Sequence, residues 1–570
     1  MISYLFFMKH KDRWYYYVLI LIIILALIVR IYFIDFNYEI PGSDEGEYLV
    51  MAESFKGGEI ISQWPYYRPF LLPFIWGLLG KLGFGLTTYR ITLILFSLAS
   101  VLLVYLIGKD LFNPKVGLTV AFFMVFYPDE ITHSLRILIN GVALTMWLLS
   151  IYFFQKAYFN KSTRCLYISA IVTGLAILIY SQNIALLAFH FLFLLIADGP
   201  QFFKNLKYIY FFLISILIYS VNFLYSYIWF GDPLKNFGYG LWLSYIDTHS
   251  RSYLDLILDF IKYMPNYFSW FYIPILTFSI LLLFYYVTKI FLLLKGYKFN
   301  YKQVLTVIFF LVIFFIIQYY LSSQYPATSK LKVMFYLISS FTTIFFGFIF
   351  IYLFRDFFYM ISQNSEEKLK KHILLLCWIF VGFFVISNMV GKFQARYFLP
   401  AIIPLFFYMA LLINLVYNKS FKNFNFKMLF FLILLLIFLG VISNLNFTSK
   451  LINSYPEVGN RDLGIWLNEN TEHDDFIFGS VDNALVYYSG ARWYRYPISN
   501  IEGGNYTVFL SKFYELRPKF LVLYKFRDGV INSFYVQFIN NNNPELIYLH
   551  ENYHNESILV YSLNYSNSFS

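Results

Sequence analysis

The sequence predicts a polytopic α-helical membrane protein of about 13 spans, N-terminus inside and C-terminus outside, with a small outer α/β domain at its C-terminal end. Three observations predict it. The 570 residues are 59% hydrophobic and only 13% charged, whereas soluble domains carry about 25% charged residues. Many separate apolar runs of roughly 20 residues, the length that crosses a bilayer core, recur up to about Ser443, with shorter ones at Val116, Gly141 and Ile184. From about Asn444 the composition turns ordinarily polar and such runs stop.

Composition also excludes several classes. The net charge of +11 does not indicate nucleic acid, because the Lys and Arg residues sit in short loops between apolar runs, where they orient the chain. Aromatics reach 23%, with 69 Phe and 53 Tyr, more than interfacial belts need. Part of that reflects a compositional bias that also enriches Ile, Asn and Lys. The two cysteines, Cys165 and Cys377, both lie in apolar runs. They form no disulfide framework and lack metal-ligand spacing. The first apolar run, Trp14–Ile34, is followed by no small-residue cleavage site, so it reads as a retained span.

The elements follow in order. Lys9, Lys11 and Arg13 precede the first span and place the N-terminus inside. A long outer loop, about Asp35–Tyr89, holds an acidic cluster and then a short, proline-broken apolar piece from Arg68 to Trp76, expected to lie at the interface. Further spans are expected at about Arg90–Ile107, Val116–Tyr127, Gly141–Phe154, Cys165–Tyr180, Ile184–Ala197, Tyr208–Tyr227 and Trp270–Leu294. The last are Gln303–Leu321, Met334–Phe354, His372–Val390, Phe398–Tyr417 and Met428–Ser443. Lysine-rich connections such as Lys156–Arg164, Lys204–Lys207, Lys295–Lys302 and Lys368–Lys371 fall on the inner side of this arrangement.

Residues 445–570 are expected to form the outer domain. Strand-length apolar runs occur at Asp475–Ser480, Leu485–Tyr488, Lys519–Tyr524, Leu546–His550 and Ser557–Ser562. Leu463, Trp466 and Leu467 give Arg461–Asn468 one apolar helical face. Four glycosylation acceptor patterns begin at Asn446, Asn505, Asn555 and Asn564, but so Asn-rich a chain produces them by chance. The spans show no internal repeat of the transporter kind.

Chemistry concentrates at Pro41-Gly42-Ser43-Asp44-Glu45-Gly46-Glu47-Tyr48. Tyr48, Met51, Ala52 and Phe55 recur at helical spacing, so a helix begins near Ser43 or Asp44. Spacing alone assigns Asp44 to the N-cap and Glu47 to a capping box. The same placement also holds a carboxylate rigidly beside the membrane, as a base requires. Arg68 suits either a lipid-headgroup anchor or a phosphate ligand. Arg136 suits an ion pair with Asp129 or Glu130 before a place in a site. Lys330, Lys332 and Arg396, on later outer loops, suit lipid headgroups or a donor phosphate. Trp242, Tyr245, Tyr253, Tyr263 and Trp270 read as an aromatic belt that also suits a polyprenyl tail or a sugar.

Several stretches, in order, resemble one family. These are Gly42–Tyr48 with Ala52-Glu53; Arg68-Pro69-Phe70 through Gly85; Arg90-Ile91 and Leu106–Phe112; Tyr127-Pro128 with Ser134-Leu135-Arg136; Arg396–Pro400; and Ile465–Thr471 with Tyr487–Arg492. Together they resemble the C-type membrane glycosyltransferases, in particular the dolichyl-phosphate-mannose protein mannosyltransferase and aminoarabinose transferase family. The resemblance implies a transmembrane domain over residues 1–444, with a first outer catalytic loop at 35–89, and an extracytoplasmic domain over 445–570. It implies transfer of one sugar from a polyprenyl-phosphate donor to a protein, envelope glycan or lipid acceptor at the outer face of the cell membrane.

In that family the aspartate matching Asp44 is the base or orients the acceptor. Glu45 would help place the acceptor or Asp44, and Arg68, with Arg396, Lys330 and Lys332, would hold the donor phosphate. The resemblance leaves open whether a divalent metal takes part, and no cluster of metal-ligand spacing assigns one. Two positions depart from relatives. Glu47 stands where aminoarabinose transferases have Arg, which argues against lipid A modification. Asn140 stands where many relatives carry an acid, and Asp129-Glu130 are the available substitutes. The rival reading is a transporter or flippase of lipid-linked sugars, which calls for broken helices and charges at mid-membrane.

Overall fold

The computed structural model describes residues 10–34, 43–57, 68–236, 269–292, 355–385, 395–421, 424–453, 459–472, 475–479, 483–489, 492–494, 506–525, 533–551 and 557–563. It is mainly helical, with one small sheet. In chain order the helices before the sheet begin with α1 (His10–Phe33), α2 (Ser43–Gly57), α3 (Leu71–Lys81), α4 (Leu86–Leu111), α5 (Pro114–Val125), α6 (Pro128–Leu135), α7 (Asn140–Phe159) and α8 (Thr163–Ile179). They continue with α9 (Ala185–Asp198), α10 (Leu206–Tyr219), α11 (Val221–Phe230), α12 (Ile273–Leu292), α13 (Arg355–Asn364), α14 (Glu367–Phe380), α15 (Leu399–Ser420) and α16 (Phe424–Asn453). Among the described residues, eight helices are long and apolar enough to cross a membrane. The expected spans at Gln303–Leu321 and Met334–Phe354 lie outside the described residues.

Local sequence sets where these helices start and stop. Asn113 caps α5 by accepting from the Val116 amide, with Pro114 in the first turn, where its missing N–H costs nothing. Ser162 caps α8 through the Cys165 amide, and Asn205 caps α10 through the Lys207 amide. The span expected at Tyr208–Tyr227 lies within Leu206–Phe230, which is long and apolar enough to cross a membrane and is built of α10 and α11 meeting at Ser220. α11 ends on Gly231 at φ 70°, a left-handed position glycine adopts without strain.

The residues group into two compact units. The first comprises Met1–Ile31, Leu95–His133 and Ile139–Thr448. Its helices pack through buried apolar side chains such as Phe123 stacked on Phe406, centroids 5.6 Å apart, and through small polar bridges. Ser100 meets Thr145 at 2.8 Å, Ser150 meets Thr173 at 2.7 Å, and Ser215 donates to the Ala170 carbonyl at 3.0 Å. In hydrocarbon, where apolar burial drives little association, small hydroxyl side chains let helices approach and bond.

The second unit comprises Tyr32–Ile94, Ser134–Leu138 and Ser449–Ser570. After α17 (Asn460–Asn470) come β1 (Phe476–Gly479), α18 (Asn483–Ser489), β2 (Arg492–Tyr494), α19 (Tyr506–Leu516), β3 (Phe520–Lys525), α20 (Ser533–Asn542), β4 (Glu545–Glu551) and β5 (Ser557–Ser562). The sheet order is β2-β1-β3-β5-β4. β2, β1 and β3 are parallel, and β3, β5 and β4 antiparallel.

Strand alternation splits the side chains between two faces. Ile477, Val522, Ile558 and Val560 face Leu463 and Leu467 of α17 and Leu485 and Val486 of α18. Phe478, Leu521 and Leu523 face Phe513 of α19 and Tyr535 and Phe538 of α20. The strand expected at Leu485–Tyr488 is therefore helix α18. Four apolar residues fit either period, and the parallel pairing of β1 with β2 needs a crossover, which α18 supplies.

Candidate functional site

Helix α2 carries the acidic cluster. It begins at Ser43, so Asp44 and Glu45 lie in its first turn, where the exposed amides and helix dipole favour carboxylates. Asp44, Glu47 and Tyr48 stand at i, i+3 and i+4 and share one face. Arg68 lies across that face. Its Nη2 donates to Asp44 Oδ1, its Nε donates to Glu47 Oε2 at 2.5 Å, and its guanidinium carbon sits 5.3 Å from the Tyr48 ring centroid. The expected capping box is thus replaced in part: Glu47 spends a carboxylate oxygen on Arg68. Asp44 stays 26% exposed while Glu47 is 9% exposed, so Asp44 is the carboxylate of this face that a bound molecule reaches.

Glu45 turns a different way. Its Oε1 accepts from Arg136 at 2.5 Å and its Oε2 from the Ile137 amide at 3.0 Å, with the side chain only 1% exposed. Arg136 therefore has Glu45 as partner in place of the pair expected with Asp129 or Glu130. The reason is geometric: Arg136 sits in the segment Ser134–Leu138, which groups with α2. A buried carboxylate held by a guanidinium and an amide is an anchor, fixing the start of α2 against that segment.

Two other elements hold α2. At Gly77 of α3 an added Cβ would stand 2.6 Å from Phe55 Cβ and 2.7 Å from the Ala52 carbonyl, so α3 approaches α2 closer than any side chain permits. α3 is fixed in turn through Trp76 at its middle, which stacks on Tyr89 with centroids 5.4 Å apart and accepts its hydroxyl at the carbonyl, 2.9 Å. On another side Val50 of α2 is buried within the apolar cluster of the sheet, with Leu463, Leu485 and Val560. α18 packs along α2, and burial, followed by the charge of Glu53, pushes the Tyr487 phenol above its ordinary range.

The second acidic pair belongs to the first unit. Asp129 and Glu130 open α6, both buried. Glu130 is paired with Arg30 of α1, whose Nε also donates to Ser97 Oγ at 2.8 Å and whose Nη1 donates to the Val125 carbonyl at 3.0 Å. Asp129 accepts from the Tyr127 hydroxyl at 3.3 Å, and His133 Nδ1 donates to its carbonyl at 2.6 Å. Burial pushes the Asp129 carboxyl up to about 7, against the pull of the Tyr127 bond. Arg30 had no place in the sequence assignment. Its signal was an arginine inside an apolar span, which calls for a named partner.

The remaining candidates divide simply. Arg396 lies half-buried in the 3-10 turn Ala395–Phe398 that leads into α15, in the first unit. Lys330, Lys332, Trp242, Tyr245, Tyr253 and Tyr263 lie outside the described residues. Asn140 is buried at the first position of α7. Among the described residues, no group of three His, Cys, Asp or Glu side chains is placed to hold a metal ion.

A family profile described as dolichyl-phosphate-mannose-protein mannosyltransferase matches residues 67–225. ArnT from Cupriavidus metallidurans, solved bound to undecaprenyl phosphate, is similar over 95% of this chain and 97% of that chain, with 13% identity and a TM-score of 0.54. The Archaeoglobus fulgidus oligosaccharyltransferase, solved with Zn and sulfate, is similar over 89% of this chain and 67% of that chain, with 14% identity and a TM-score of 0.52. AglB of the same organism, solved with an inhibitory peptide and a dolichol-phosphate, covers 90% of this chain and 70% of that chain, with 13% identity and a TM-score of 0.52. No curated protein sequence matches this chain. These likenesses show the fold.

Proposed function

We propose that this chain is a membrane glycosyltransferase that moves one sugar from a polyprenyl-phosphate donor to an acceptor hydroxyl at the outer membrane face. The observation that carries the proposal is the pairing on α2, where one partly exposed carboxylate, Asp44, shares a guanidinium with Glu47. Acid and cation are the two groups such a transfer needs within one small space. The order of spans supports an extracytoplasmic loop at 35–89 and an outer domain from 445, with a transmembrane part over 1–444 and about 13 spans. The acceptor is a protein, an envelope glycan or a lipid.

The chemistry follows from the ion pair. The donor phosphate competes with Asp44 for Arg68, because a guanidinium binds phosphate oxygens in the same forked way it binds carboxylates. Glu47 keeps Arg68 oriented meanwhile. Asp44 is thereby released to accept the acceptor proton as the acceptor attacks the anomeric carbon. The C–O bond to phosphate breaks on the opposite face, which inverts the anomeric centre, and polyprenyl phosphate leaves with its negative charge met by Arg68. Glu45 acts through position, by keeping the start of α2 in place. Arg396, Lys330 and Lys332 are the further cations that the family resemblance offers to a donor phosphate.

The test is Asp44→Asn, which keeps the shape and the helix start. Membranes supplied with radiolabelled polyprenyl-phosphate hexose should show transfer reduced about 10²–10⁴-fold, the usual contribution of a positioned base. Wild-type turnover in a folded Asp44→Asn protein would remove Asp44 from the chemistry. A wild-type protein that consumes no lipid-phosphate sugar across a panel of donors would overturn the enzyme class.

A further inference from the structure

A second polar site lies at the far end of α7 from Asn140, about 30 Å along the helix by the 1.5 Å rise per residue. There α9 ends at Asp198, the turn Gly199–Lys204 reverses the chain, and α10 departs at Leu206, with α13 and α14 packed alongside. The approach is close: a Cβ on Gly199 would stand 3.0 Å from Ser362 Oγ. Between these elements is a cleft of about 280 Å³, room for one small polar headgroup, since a water's share of liquid is ~30 Å³.

The floor of the cleft is organised around Asp198. Its Oδ1 accepts from the Tyr158 hydroxyl at 2.5 Å, and Tyr208 lines the cleft beside it. Lys370 Nζ donates to Tyr158 Oη at 3.2 Å and stands 3.7 Å from Asp198 Oδ1. An ammonium has three donors, so Lys370 keeps one for a ligand oxygen. The amides of Gln201, Asn205 and Gln363 line the mouth. Lys204 at the end of the turn, Lys207 at the start of α10 and Lys368 at the start of α14 stand exposed, which favours an anion. Beyond the mouth, Leu206, Ile209 and Leu213 are exposed along one face of α10, a lane on which an acyl chain can lie.

We propose that this cleft holds the headgroup of an anionic, hydroxyl-bearing phospholipid. Its phosphate meets Lys370 and its hydroxyls meet the amides of Gln201, Asn205 and Gln363, while the acyl chain follows α10. The lysine bias places this end on the cytoplasmic side, where basic pockets between helices hold anionic lipid. The polar lining and the adjoining apolar lane together select a lipid over a soluble phosphate. The assignment is independent of the catalytic proposal.

Reconstitution of the full chain into nanodiscs of phosphatidylcholine with about a tenth phosphatidylglycerol, followed by native mass spectrometry, tests it. One phosphatidylglycerol should stay with each chain, enriched about tenfold over phosphatidylcholine. Lys370→Met should reduce that enrichment about tenfold. Gln201→Trp, at the exposed rim, should do the same by filling the cleft, and it decides the matter if Lys370→Met fails to fold. Equal retention of both lipids, or enrichment unchanged in Gln201→Trp, overturns the proposal. Displacement of the lipid by millimolar inorganic phosphate or glycerol phosphate also overturns it, because the site would then belong to a soluble anion.

Discussion

Arg68 is the side chain on which the candidate site turns, and it holds Asp44 and Glu47 together. Arg68→Ala removes a charge-assisted partner worth about 1.5–3 kcal/mol. It should raise the KM for the lipid-phosphate donor about 10–100-fold, and Arg68→Lys, which keeps charge but not the fork, should recover only part of this. Donor-titrated transfer rates measure both. Asp129 offers a separate test. Its folded value, about 7, lies above the usual 3.8, so the fold favours the neutral acid. That stability is fully present below about pH 4 and is lost as pH rises towards 7, about 4 kcal/mol in full at 1.36 kcal/mol per unit. Asp129→Asn removes the dependence. Melting in detergent from pH 5 to pH 8 should show wild type falling relative to the variant.

Among elements, α2 is held by neighbours of three kinds: the close helix α3, the buried Glu45 anchor, and the sheet cluster that takes Val50. Gly77→Leu forces α3 away from Phe55 and Ala52. Overpacking of this kind costs about 1–3 kcal/mol, so the variant should melt lower and lose transfer, with both readouts falling together. The elements themselves were largely legible. The periodic run Tyr48–Phe55 is α2, the proline-broken piece at Arg68–Trp76 leads into α3, and the amphipathic run at Arg461–Asn468 is α17. What was not legible was type and partner in short runs. Leu485–Tyr488 fits a strand or a helix until β1 and β2 pair in parallel and require a crossover. β2, α19 and α20 have no distinctive pattern of their own, because each is short and depends on the sheet for its apolar partners.

For the molecule as a whole, the grouping of Tyr32–Ile94 with Ser449–Ser570 makes the C-terminal segment part of what fixes α2. Deleting residues 459–570 uncovers Val50 and removes α17 and α18. The shortened chain should therefore lose monodisperse elution and transfer activity together. A shortened chain that elutes and turns over like wild type would show that α2 needs no support from the sheet.

The sequence by itself determined the multi-helix membrane class, the apolar helices long enough to span, the polar C-terminal part and the helix that starts near Ser43, because hydrophobic period and composition are local properties. Only the tertiary structure decided the partners: Arg68 with Asp44 and Glu47, Arg136 with Glu45, Arg30 with Glu130, and Val50 within the sheet's core. Charges far apart in sequence choose among several carboxylates by which elements pack together, and no spacing rule encodes that choice.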